Sequence, residues 1–98
     1  MKTHHYFVYI LRCNDGTYYT GVTNNLERRF SEHQSGEDTS AYTFKRRPVQ
    51  LVFYAEFSNI DFAIEKEKQL KKWSRAKKEA LIEGKYELLS ELSKKKFR

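Results

Sequence analysis

Tyr9 closes the run Phe7-Val8-Tyr9, and Tyr19 opens Tyr19-Thr20-Gly21 just beyond an Asn14-Asp15-Gly16 turn. Arg29 and His33 follow, four residues apart. An imidazole titrates near neutrality and suits proton transfer. A guanidinium matches phosphate oxygens through paired hydrogen bonds. A phenol is a poor base at its ordinary pKa near 10 and serves as one only where cations or a metal favour its anion. Together these groups suit proton removal from water and stabilisation of a phosphate, and so phosphodiester chemistry.

Their convergence depends on the elements that carry them. Tyr6 to Arg12 is aromatic and β-branched and reads as a strand, with Thr17 to Val22 as its return. A two-residue Asp15-Gly16 loop would pair Tyr9 with Val22 and put the tyrosines on opposite faces. A three-residue Asn14-Asp15-Gly16 loop pairs Tyr9 with Gly21 and Leu11 with Tyr19, so both phenols share a face. Joint action requires the second register, in which Gly21 leaves open space above the Tyr9 phenol. Asn24 to Gln34 reads as a helix, with Asn24 as N-cap and Glu27 at the capping-box position. Leu26, Arg29, Phe30 and His33 recur at helical spacing, so Arg29 and His33 face the sheet and Arg28 points away.

Gly36 to Tyr42 is a polar loop, and Lys45-Arg46-Arg47-Pro48 a basic turn into a third strand, Val49 to Phe57. Ser58 or Asn59 caps a second helix, Ile60 to Lys72, with inward stripe Ile60, Ala63, Ile64, Glu67 and Leu70. A carboxylate inside an apolar stripe is expensive to bury alone. Glu67 therefore needs a partner such as Arg29 or a Lys, or a metal ion. Ser74 caps a third helix ending before Gly84, and Leu88, Leu89 and Leu92 mark a last short one. His4 and His5 sit at a frayed start.

The length of 98 residues predicts a single domain over 1–98, with a core at about 6–85 and a basic helical tail at 86–98. Cys13 is the one cysteine, which excludes an intramolecular disulfide and a cysteine-cluster zinc site. No apolar run reaches the ~20 residues of a membrane span, and no signal-peptide pattern opens the chain, so no membrane partner and a cytoplasmic location are expected. The net charge of +6 is uneven. Residues 1–64 hold seven basic and seven acidic side chains, whereas 65–98 hold twelve and six. A basic segment on a neutral one predicts a polyanion partner.

The order Tyr9, Tyr19-Thr20-Gly21, Arg29, His33 and then Glu67 on a later helix resembles the GIY-YIG nuclease superfamily. The runs from Tyr19 to Arg29 and from Glu67 to Arg75, with Arg46-Arg47-Pro48-Val49, are similar to its small stand-alone branch. The resemblance spans roughly residues 6–85. It implies an α/β fold of α+β type, a three-stranded antiparallel sheet flanked by helices. It also implies a metal-dependent DNA endonuclease that nicks one strand, in DNA repair or recombination. Carried over by residue, Tyr9 or Tyr19 is the general base or positions water, Arg29 stabilises the phosphate, and His33 assists proton transfer. Glu67 would hold a single Mg2+ or Mn2+. Arg46, Arg47, Lys71, Lys72, Arg75, Lys77 and Lys78 would contact the nucleic-acid backbone without reading its sequence.

The first motif here lacks the family's glycine and isoleucine, and Val22 stands where some DNA-repair members carry a lysine. The competing expectation is a nucleic-acid-binding module that keeps the tyrosine sheet only as core. A third is an adaptor for a larger repair complex.

Overall fold

A computed structural model describes residues 4–85 and Leu89. Strand β1 (Tyr6–Arg12) pairs antiparallel with β2 (Tyr18–Thr23) and with β3 (Gln50–Phe57), in the order β2-β1-β3. Helix α1 (Leu26–Ser35) follows β2, and helices α2 (Ile60–Lys71) and α3 (Arg75–Ile82) follow β3. The fold is the expected one, a three-stranded antiparallel sheet flanked by helices. Among the described residues no helix is long and apolar enough to cross a membrane.

Strand alternation divides the core into two layers. Val8 and Ile10 pack with Ala63 and Leu70 under α2 and α3. Tyr9, Leu11 and Cys13 pack with Val49, Tyr19, Leu26 and Phe30 under α1. The three-residue hairpin decides this arrangement for the tyrosines. Gly16 takes φ 84°, a left-handed conformation open to glycine. Asp15 accepts from the Thr17 amide at 3.1 Å and from its hydroxyl at 2.6 Å. Tyr9 then faces Gly21 and Leu11 faces Tyr19.

Several boundaries differ from the sequence expectation. The N-cap of α1 is Asn25 rather than Asn24, its side chain accepting from the Arg28 amide at 3.0 Å. Thr23 Oγ1 accepts from the Asn25 amide at 3.1 Å and so draws Asn25 into the cap. Glu27 is thereby in the first turn, next to the positive end of the helix dipole, and not at the capping-box position. Strand β3 starts at Gln50 because Val49 is claimed by α1. Gln34 donates to the Val49 carbonyl at 2.9 Å and accepts from its amide at 2.8 Å. Helix α2 is capped by Asn59, but Ile60 is 46% exposed, so the inward stripe begins at Ala63. The helix packs mainly over β1 and β2, and its first turn is left without cover. His5 is not idle, since its ring pairs with Glu56. The last helix expected around Leu88, Leu89 and Leu92 lies outside the described residues except for Leu89.

Candidate active site

Tyr9 is 1% exposed and His33 3% exposed, and they meet beneath α1. The Tyr9 hydroxyl lies 2.9 Å from His33 Nε2, and His33 Nδ1 lies 2.8 Å from Thr43 Oγ1. Burial, helped by the neighbouring Tyr19 phenol, pushes Tyr9 up to about 12, against the pull of Arg29. The phenol therefore keeps its proton and donates it to Nε2. A neutral imidazole has one donor nitrogen, so Nδ1–H donates to Thr43. Burial and the Arg29 charge hold His33 below its ordinary 6.5, which keeps it neutral and able to accept a proton.

The Tyr19 ring stands edge-on to His33 at 5.0 Å and lies 6.2 Å from the Tyr9 ring. Tyr19 is half-buried, so of the two phenols it is the one that meets solvent. Arg29 pairs with Glu32 at 3.2 Å. Burial works against its charge, but hydrogen bonds to Glu32 and Tyr9 outweigh that and raise its pKa. Tyr9, Tyr19, Arg29 and His33 are thus one cluster on one face of the sheet.

Gly21 does not leave open space over Tyr9, because the phenol itself fills that space. A Cβ at Gly21 would lie 2.5 Å from the Tyr9 hydroxyl oxygen and 2.6 Å from the ring carbon that bears it. Gly21→Ala is therefore expected to displace the ring and cost about 1–3 kcal/mol, as overpacking does. His33 would lose the hydrogen bond that the phenol gives its neutral form, so its pKa should rise. Urea denaturation and the NMR titration of the His33 ring check both. A variant as stable as the parent with an unmoved His33 would show that the added methyl is accommodated without displacing the phenol.

Glu67 lies on α2, on the other side of the sheet, and is 8% exposed. Its partner is a lysine and not Arg29, for Lys71 Nζ sits 2.7 Å from Glu67 Oε1. The hydrogen bond to Glu67 raises Lys71 above its ordinary value, against the opposing effect of burial. Among the described residues, no three histidine, cysteine, aspartate or glutamate side chains converge as a metal cluster. A lone hard-oxygen ligand fits a magnesium-type ion that retains waters and shares substrate phosphate oxygens.

The seven expected backbone contacts fall into two groups. Lys72 is exposed and Lys78 half-buried, with burial lowering its pKa, whereas Arg75, though exposed, donates to the Gly16 carbonyl at 2.7 Å and pairs with Glu79 at 3.3 Å. Lys71 holds Glu67, and Arg46 Nε holds Asp15 at 3.0 Å. Arg47 is turned inward, donating to the Phe44 carbonyl at 2.9 Å. Lys77 is 7% exposed, with its ammonium 4.4 Å from the Trp73 ring centroid.

Thr43 and Tyr42 are the residues that sequence reasoning passed over. Tyr42 stacks on Tyr19 at 6.1 Å and carries the Arg46 guanidinium 3.9 Å from its own centroid. Tyr42 ends the polar loop and Thr43 lies between it and the basic turn, where no periodicity marks a side chain. The one signal was Tyr42 itself, an aromatic in an otherwise small and polar stretch.

A family model for the GIY-YIG catalytic domain matches residues 5–80. A UPF0213 protein of Syntrophus aciditrophicus is 47% identical over 76 residues, covering 78% of this chain and 87% of that protein. One of Natronomonas pharaonis is 48% identical over 82 residues, covering 84% and 94%. The solution NMR structure of a UPF0213 protein from Bacillus halodurans, 40% identical, superposes with TM-score 0.54 over 81% of this chain and 83% of that one. A solution NMR structure from E. faecalis, 34% identical, gives TM-score 0.57 over 88% of each chain. With the tyrosine pair, arginine and histidine gathered on one sheet face, and with matches over most of its length, this chain belongs to the GIY-YIG family and, within it, to the UPF0213 group.

Proposed function

We propose that this protein binds nucleic acid, DNA foremost, and hydrolyses its phosphodiester backbone one strand at a time. The observation that carries this is the buried chain from Tyr9 through His33 to Thr43, with Arg29 and the half-exposed Tyr19 beside it. A buried phenol needs some partner in any fold, but a partner alone does not call for an arginine and a second, half-exposed phenol beside it.

Each residue has a task in this scheme. Arg29 binds the phosphate and stabilises the charge that grows on its oxygens. Tyr19 and Tyr9 align the attacking water. The proton lost by water moves onto the tyrosine pair as the Tyr9 proton moves to His33 Nε2. The imidazolium so formed is disfavoured by Arg29 and favoured by Glu32 and Asp38. Thr43 keeps the ring oriented. Glu67 would hold one Mg2+ or Mn2+, which when bound supplies Lewis-acid stabilisation of the phosphate and the leaving oxygen. Lys72, Arg75 and Lys78 attract the backbone without reading bases.

A second reading is a binding module without hydrolysis. The Lys71 ammonium on Glu67 favours it, since a cation already occupies one carboxylate oxygen. Nicking of supercoiled plasmid in magnesium or manganese, with EDTA as control, decides between them. Nicking that EDTA stops supports hydrolysis. Salt-dependent plasmid binding without nicking in either metal supports the module.

A further inference from the structure

Tyr42 is 41% exposed, yet it is neither loose nor incidental. Its ring lies on Tyr19 with an interplanar angle of 23°, and the Arg46 guanidinium lies on it. Arg46 is fixed independently of that stack. Its Nε pairs with Asp15 at 3.0 Å and its Nη1 donates to the Tyr42 carbonyl at 2.9 Å. Asp15 is itself held in the hairpin turn by Thr17. The outcome is a ladder of flat groups, Tyr19, Tyr42 and Arg46, rising from the reaction cluster to the surface.

A guanidinium already paired with a carboxylate adds little net charge against a polyanion. What it still offers is the face turned away from Tyr42, whose own two faces are taken by Tyr19 and Arg46. Bases within a continuous duplex have both faces covered by their neighbours. The occupant that matches an exposed planar ladder on a basic protein is an unpaired base.

We propose, resting on the nucleic-acid reading above, that the Arg46 guanidinium, held flat on Tyr42, stacks an unpaired nucleobase next to the phosphate held by Arg29. The preferred substrate is then single-stranded or splayed nucleic acid, not continuous duplex. Tyr42 is a positioning residue in this arrangement, setting strand preference through the guanidinium it carries. Stacking tolerates any base, because every base has a π-face, so preference should follow strand state more than sequence.

Binding without cleavage tests this. The full chain in EDTA is titrated into a single-stranded oligonucleotide carrying a fluorescent adenine analogue, and into the same oligonucleotide as a blunt duplex. The single strand should bind more tightly. Tyr42→Leu should weaken single-strand binding by about tenfold or more and leave duplex binding unchanged. Tyr42→Phe, which keeps the ring, should retain the preference. Equal losses on both substrates with Tyr42→Leu would reduce Tyr42 to a support for Tyr19 and overturn the proposal. Duplex binding as tight as single-strand binding would overturn it too, while leaving the nucleic-acid reading intact. Binding of neither would overturn both.

Discussion

His33→Gln should slow phosphodiester cleavage by about a hundredfold to ten-thousandfold, the usual worth of a positioned acid or base, while the protein stays folded. A glutamine amide can accept from the Tyr9 hydroxyl and donate to Thr43, so the buried hydrogen bonds have a replacement. It cannot take up a proton, and the destination of the Tyr9 proton is gone. His33→Leu is the contrasting variant. It strands the Tyr9 hydroxyl and Thr43 Oγ1 in a buried site, at about 1–3 kcal/mol for each unsatisfied group. Loss of rate with Gln and loss of stability with Leu would separate proton transfer from packing.

The pH profile gives a second readout. His33 accepts a proton only when neutral, and burial with Arg29 places its pKa below 6.5. Cleavage should therefore hold through 6.5 and fall only at lower pH, and this acid limb should vanish in His33→Gln. Stability moves in the same direction. Between the lowered native value and 6.5 the unfolded chain binds a proton that the native state refuses, so stability falls as pH drops through that window. A His33→Gln protein that cleaves at the parent rate would remove His33 from the proton path.

Glu67→Gln should abolish metal-dependent nicking with little change in melting temperature. The lysine it releases has a side chain 55% exposed, so its ammonium returns to water and no charge is buried alone. The pair itself is worth about 1 kcal/mol or less to the fold at such exposure. Lys71→Met is the informative opposite. It leaves a carboxylate on a residue that is 8% exposed without its cation, which should lower stability. Added magnesium should then raise the melting temperature of Lys71→Met more than that of the parent. Nicking by Glu67→Gln at the parent rate would confine Glu67 to its ion pair. Unchanged magnesium dependence in Lys71→Met would mean that lysine and metal do not compete for one carboxylate.

Elements with a period were open to sequence reasoning. Alternation in Tyr6–Arg12 and the turn chemistry of Asn14-Asp15-Gly16 narrowed the tyrosine register to two choices. The structure has the one that a common face for the two phenols requires. Helical spacing placed Arg29 and His33 toward the sheet and set Glu67 on the apolar stripe of α2. Caps were less legible. Thr23, Asn24 and Asn25 are all chemically able to start a helix, and a hydrogen bond from Asn25 to Thr23 settles which one does.

By itself, then, the chain's sequence determined the strand and helix order, the family, and the presence of two phenols, a guanidinium and an imidazole on consecutive elements. These follow from local turn geometry and from periods of two and 3.6 residues, which a linear string preserves. Only the tertiary structure decided that Tyr9 lies over Gly21, that Thr43 orients His33, that Glu67 takes Lys71 and leaves Arg29 to Glu32, and that Tyr42 stands between Tyr19 and Arg46. Those choices come from the packing of side chains from separate elements and from aperiodic loops. Among several partners of suitable chemistry, distance and burial select one.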